Sequence, residues 1–125
     1  MYMKNILVTG GAGYIGSHII ELLIKNNFNA FIIDNLSTGH KKLINKKAKF
    51  FNVDLNEFYK IAKIIKKYNI SSIIHLAAKT NITEAEKNPK IYYKNNVTGT
   101  YNLIKACKDT NVENFLFSST CAVYT

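Results

Sequence analysis

The chain has 125 residues, 47% hydrophobic and 20% charged, enough for one domain with a single core but small for an enzyme holding both a cofactor and a substrate. The longest apolar runs are only about four to six residues, which excludes a bilayer span, and no signal-type segment opens the chain, so a cytoplasmic protein is expected. The formal charge of +9 rests on seventeen lysines scattered among Asn and Ile, with no arginine, which argues against a nucleic-acid partner. Cys107 and Cys121 make neither a disulfide framework nor a metal-ligand spacing.

NILVTG (5–10) reads as a buried strand. Residues 13–27 follow as a helix with Ile15, Ile19, Leu22 and Leu23 on one face. AFIID (30–34) and KFFNVD (49–54) are the second and third strands. Residues 57–68 carry Phe58, Ile61, Ile65 and Tyr68 at helical spacing, and SSIIHLAA (71–78) is the fourth strand. A helical region of about 25 residues begins after Asn81 and is expected to break near Pro89. The fifth strand lies in FLFSSTCAVYT (115–125), where the apolar run Phe115-Leu116-Phe117 hands over to three hydroxyls, Ser118, Ser119 and Thr120. Near-continuous apolar strands alternating with helices indicate an α/β fold, a doubly wound parallel sheet in the order 3-2-1-4-5, within one domain over 1–125.

Gly10, Gly13 and Gly16 sit at the junction of the first strand and the first helix, where a dinucleotide pyrophosphate binds. The first permits a tight turn, the second lets phosphates approach the backbone, and the third lets the helix pack closely. Asp34 ends the second strand, placed to accept hydrogen bonds from a ribose diol and to repel a 2′-phosphate. NAD is therefore expected over NADP, with Lys41 and Lys42 near enough in sequence to soften the repulsion. His75, in a buried strand with no acid partner at a telling spacing, reads as a satisfied core histidine.

The G-x-x-G-x-x-G spacing, with DNLSTGH (34–40), VDL (53–55), IIHLAA (73–78), YYKNNVTGTYNL (92–103) and FLFSSTCAVY (115–124), resembles the extended short-chain dehydrogenase/reductase family. The likeness is strongest to its NAD-dependent nucleotide-sugar epimerases. It implies that Tyr14 and Ile15 cover the pyrophosphate and that Asp34, Asn35, Leu36, Ser37, Thr38 and Gly39 surround the adenosine ribose. Asp54 and Leu55 would flank the adenine, and Leu76, Ala77 and Ala78 would floor the nicotinamide-ribose site. Asn95 would reach the cofactor and Asn96 would serve the local backbone, while Thr120 would hydrogen-bond the sugar hydroxyl being oxidised. Asp54 could equally cap the following helix, and Asn95 and Asn96 could be turn or capping residues.

The implied activity is reversible 4-epimerisation of a nucleotide sugar, UDP-glucose and UDP-galactose, by a homodimer in the complete enzyme. Related dehydratases carry an Asp-Glu pair after the Thr120 position, where this chain has Cys121 and Ala122, so epimerisation is preferred to dehydration. Thr125 stands where the family usually has glycine, and Thr80 and Ala85 also depart from its pattern. The family's base is a Tyr-x-x-x-Lys pair on a helix after the fifth strand, and this chain holds no such helix. The expectation is an N-terminal part of a longer enzyme, without the substrate domain and inactive by itself. Eight tyrosines and seventeen lysines in 125 positions give about one such pair by accident. The two present, Tyr59 with Lys63 and Tyr101 with Lys105, fall on helices before the fifth strand and are not expected to be catalytic.

Overall fold

The computed structural model describes residues 3–120, 123 and 124. Cys121, Ala122 and Thr125, on which the epimerase-versus-dehydratase reading and one departure rest, lie outside the described residues. Five strands, β1 (Asn5–Thr9), β2 (Asn29–Asp34), β3 (Lys49–Asn52), β4 (Ser72–His75) and β5 (Asn114–Phe117), form one sheet in the order β3-β2-β1-β4-β5. Every neighbouring pair is parallel, as expected from the apolar strands.

Side chains alternate across the sheet and build a core on each face. Leu7, Phe31, Ile33 and Ile73 point to the face covered by α2 (Phe58–Lys67) and α5 (Gly99–Cys107), where they meet Ile61, Ile65 and Leu103. Val8, Ala30 and Ile32 point to the other face, covered by α1 (Tyr14–Lys25) through Ile20, with Ile19, Leu23 and Ile24 beside it.

The apolar stripe of α1 differs from the expected one. Ile15 and Leu22 are 62% and 58% exposed, whereas Gly16 and Ile20 are buried. The buried stripe runs through Gly16 and Ile20, with Ile19, Leu23 and Ile24 beside it, so the expected face is rotated by about one residue.

The long helical region is segmented. α3 (Ile82–Lys87) is capped by the Asn81 side chain, which accepts from the Glu84 N–H, and α4 (Pro89–Tyr92) restarts with proline in its first turn. A π-helical turn, Tyr93–Thr98, then leads into α5. Among the described residues, no helix is long and apolar enough to cross a membrane. Leu103 is fully buried between α2 and the sheet, so Leu103→Ala is expected to cost about 2–5 kcal/mol. Its urea midpoint, compared with that of the parent chain, checks this.

Candidate functional site: a cleft at the carboxyl ends of the strands

A cleft of about 330 Å³ opens at the carboxyl end of the sheet. Its wall begins with the turn after β1. Gly10 has φ +73°, and a Cβ there would stand 2.9 Å from the Ala77 backbone nitrogen. A Cβ on Gly16 would stand 2.2 Å from the Gly10 carbonyl oxygen, so only glycine lets α1 start this close to β1. Gly13 is the N-cap of α1, with no side-chain cap and no acidic residue in the first turn. The amino end of the helix therefore presents backbone N–H groups and positive dipole towards the cleft, the arrangement that favours an anion.

Asp34 is 9% exposed at the end of β2. Its Oδ2 accepts from the Ala12 N–H at 3.0 Å and its Oδ1 from the Leu36 N–H at 2.8 Å. Each oxygen thus keeps acceptor capacity for a further donor. Leu36 takes a left-handed backbone, φ 58°, at the bend these contacts hold. A Cβ on Gly39 would stand 3.0 Å from both Asp34 carboxylate oxygens, so glycine keeps the approach to the carboxylate open.

Asn35 joins this loop to the next one. Its Oδ1 accepts from the Ser37 N–H, and its Nδ2 donates to Asp54 Oδ2 at 2.8 Å. Asp54 Oδ1 accepts from both the N–H and the side-chain amide of Asn56. Burial by itself would raise the Asp54 carboxyl; the hydrogen bonds from Asn56 and Asn35, with the nearby Lys94 charge, hold it below the ordinary aspartate value. Asp54 thus structures the turn ahead of α2 without capping the helix, whose N-cap is Glu57 with no side-chain cap.

The cleft brings together most of the residues singled out in the sequence: Gly10, Gly13, Tyr14, Ile15, Gly16, Asp34, Asn35, Ser37, Thr38, Gly39, Leu55, Leu76, Ala77, Ala78 and Asn95 all line it. Leu36, Asp54 and Thr120 are outside that lining. Thr120 is exposed beyond the end of β5, and Ser118 is the hydroxyl that lines the cleft. Ile33, Val53 and Lys79 line it too without having been singled out. For Ile33 and Val53 the signal was available, since both sit at or just beyond the carboxyl ends of apolar strands. Neither Tyr-x-x-x-Lys pair enters the cleft, and Tyr59 and Tyr101 are 86% and 62% exposed.

The residues from 6 to 125 match the model of the NAD dependent epimerase/dehydratase family. The chain belongs to that family. It is 42% identical over 120 residues to a UDP-glucose 4-epimerase of Lactobacillus helveticus, covering 96% of this chain and 36% of the relative. It is also 42% identical over 127 residues to a UDP-glucose 4-epimerase of Schizosaccharomyces pombe, again 96% of this chain and 36% of the relative. The structure of UDP-glucose 4-epimerase from Brucella ovis in complex with NAD superposes with a TM-score of 0.91 at 40% identity, over 97% of this chain and 37% of that one. The chain thus spans a little over a third of the length of these family members.

His75 is 2% exposed, and burial pushes its imidazole down to about 4. A depressed histidine value means that the unfolded chain binds the proton more readily than the folded one. Stability is then unaffected above about 6.5 and falls as the pH drops from there towards 4, by up to about 1.4 kcal/mol per pH unit from this group. Urea unfolding between pH 7 and 4 is expected to show that slope, and His75→Gln is expected to reduce it.

Proposed function

We propose that this chain supplies the NAD site of a UDP-glucose 4-epimerase. The observation that carries the reading is the cleft itself: an uncapped helix N-terminus behind a glycine turn, and across from it a buried carboxylate with acceptor capacity to spare on each oxygen. The printed names of relatives such as those from Lactobacillus helveticus and Schizosaccharomyces pombe favour this reaction.

The residues fit a dinucleotide. Gly10, Gly13 and the first turn of α1 would hold the pyrophosphate through backbone N–H groups, with Tyr14 and Ile15 over it. Asp34 would accept the adenosine-ribose hydroxyls, within the loop Asn35, Leu36, Ser37, Thr38 and Gly39. Leu55, in the lining, and Asp54, just outside it, would flank the adenine; Leu76, Ala77 and Ala78 would floor the nicotinamide-ribose site, and Asn95 would reach the cofactor. When bound, NAD supplies a reversible hydride acceptor and donor. Thr120 would hold the sugar hydroxyl in place for oxidation at C4. The proton acceptor is not provided by Tyr59 or Tyr101, which stand away from the cleft on helix surfaces. The 125-residue chain by itself would therefore bind the dinucleotide without turnover.

A second reading, an epimerase of N-acetylated nucleotide sugars, draws on the likeness to the UDP-Glc/GlcNAc 4-epimerase of Campylobacter jejuni, 39% identical with a TM-score of 0.91 over 98% of this chain and 39% of that one. The reading of this span as an NAD site is common to both.

Calorimetric titration of the chain with NAD is expected to be saturable, with Asp34→Ala weakening it at least about tenfold, the loss of charge-assisted hydrogen bonds of about 1.5–3 kcal/mol. NADP is expected to bind more weakly than NAD, because its 2′-phosphate would meet the Asp34 carboxylate. Equal affinity for both, unaffected by Asp34→Ala, would contradict the assignment. No conversion of UDP-galactose is expected from the 125-residue chain with NAD added, and measurable epimerisation would show that a base within it acts.

A further inference from the structure

The proposed function leaves His75 without a part. It ends β4, buried, with the rings of Phe115 and Phe117 at centroid distances of 6.1 and 5.7 Å. Both ring nitrogens face a hydroxyl. Nδ1 lies 2.5 Å from Thr9 Oγ1, and Nε2 lies 2.8 Å from Thr100 Oγ1.

A hydroxyl has one proton to give, and both protons are accounted for. Thr9 Oγ1 accepts from the Ala77 N–H at 3.3 Å and shares the Leu76 N–H, which reaches the Thr9 carbonyl at 3.1 Å and the hydroxyl at 3.3 Å, so the hydroxyl's own proton goes to Nδ1. Thr100 donates to the Asn96 carbonyl at 2.6 Å, so it accepts from Nε2–H. The ring is thereby fixed as the Nε2–H tautomer, one acceptor and one donor.

Each end of this chain of bonds reaches the cleft. At one end, the Leu76 and Ala77 backbone forms part of its floor. At the other, Asn96 lies in the π-helical turn, a kind of helix distortion frequent at functional sites. Its side-chain oxygen accepts from the Lys79 N–H and from the Asn95 side-chain amide, both at 2.8 Å, and its own amide donates to the Lys79 carbonyl at 2.9 Å. Lys79 and Asn95 both line the cleft.

We propose that His75 is a positioning residue: through Thr9 and Thr100 it ties the floor after β4 to the π-helical turn and so sets Lys79, next in the chain to the Leu76–Ala78 floor, against the nicotinamide-ribose half of the site. This rests on the NAD reading above. The adenosine half, built on Asp34 and Asn35, is held by separate bonds to Ala12, Leu36 and Asp54 and does not pass through His75. A histidine that only filled the core would affect both halves alike, through stability.

The test uses NAD, which spans both halves, and AMP, which occupies only the adenosine half. Thr100→Val keeps the volume and removes the acceptor for Nε2–H; His75→Leu removes both bonds, and if it does not fold, Thr100→Val carries the test. Thr100→Val is expected to weaken NAD binding about fivefold, the worth of one hydrogen bond, and to leave AMP within about twofold of the parent. Hydrogen exchange of the ligand-free chain is read beside it: the Lys79 N–H is expected to exchange faster in the variant while the β2–β3 amides keep their protection. NAD and AMP weakened equally, or neither weakened, would overturn the proposal. If the parent chain binds no NAD, the reading of the cleft fails, and the exchange result then decides alone: an unchanged Lys79 N–H overturns the positioning role, and a faster one upholds the link from His75 to the turn.

Discussion

The close approach of α1 to the end of β1 governs the geometry at the carboxyl ends of the strands. With a Cβ at position 16 placed 2.2 Å from the Gly10 carbonyl, no other residue lets the helix begin where it does. That placement brings Ala12 to Asp34, whose carboxylate takes the Ala12 N–H, and to His40, whose N–H donates to the Ala12 carbonyl at 3.0 Å. The turn after β1 and the loop after β2 are thus joined at two points. Leu36 and Gly39 follow in conformations that this joint imposes, one with left-handed backbone and the other with no side chain to obstruct the carboxylate. The same contact leaves the helix N-terminus uncapped and turned to the cleft, so packing and anion affinity come from one set of glycines.

Hydrogen bonds extend the joint across the carboxyl ends of the strands. Asn35 links the loop after β2 to Asp54 beyond β3, and His75 links the end of β1 to α5 and the π-helical turn. No buried side-chain polar atom among the described residues lacks a partner. In a low-dielectric setting such satisfied networks hold their groups in one geometry, because an unpaired member would be costly. Cys107, by contrast, sits in apolar surroundings that push its thiol up to about 11, a packing residue with little thiolate character.

Much of this was legible in the amino-acid sequence because strand burial and glycine spacing are local signals. The five strands and their order follow from apolar runs and from the handedness of crossovers, and the glycines with Asp34 located the cleft. The buried face of α1 was less legible, since Gly16 adds nothing to a hydrophobic pattern and the buried Ile20 is only one of several isoleucines and leucines spread around the helix. The π-helical turn was invisible because one extra residue in a helical turn leaves no compositional mark, and the break at Asn88 was foreshadowed only by Pro89. His75 was recognisable as a satisfied core histidine, but its hydroxyl partners, Thr9 and Thr100, come from elements far apart in the chain. Lys79 is brought to the cleft by the Asn96 side chain, a tertiary contact that spacing does not encode.

A titration of the ¹⁵N-labelled chain with NAD, followed residue by residue in amide spectra, decides whether the glycine turn and the loop after β2 form a dinucleotide site. Saturable shifts are expected, concentrated at Gly10–Gly16, Leu36–Gly39 and Ala77–Lys79, with the outer face of α2 unmoved. Shifts centred on the lysine-rich helix surfaces, or no saturable change at the glycine turn, would contradict that assignment.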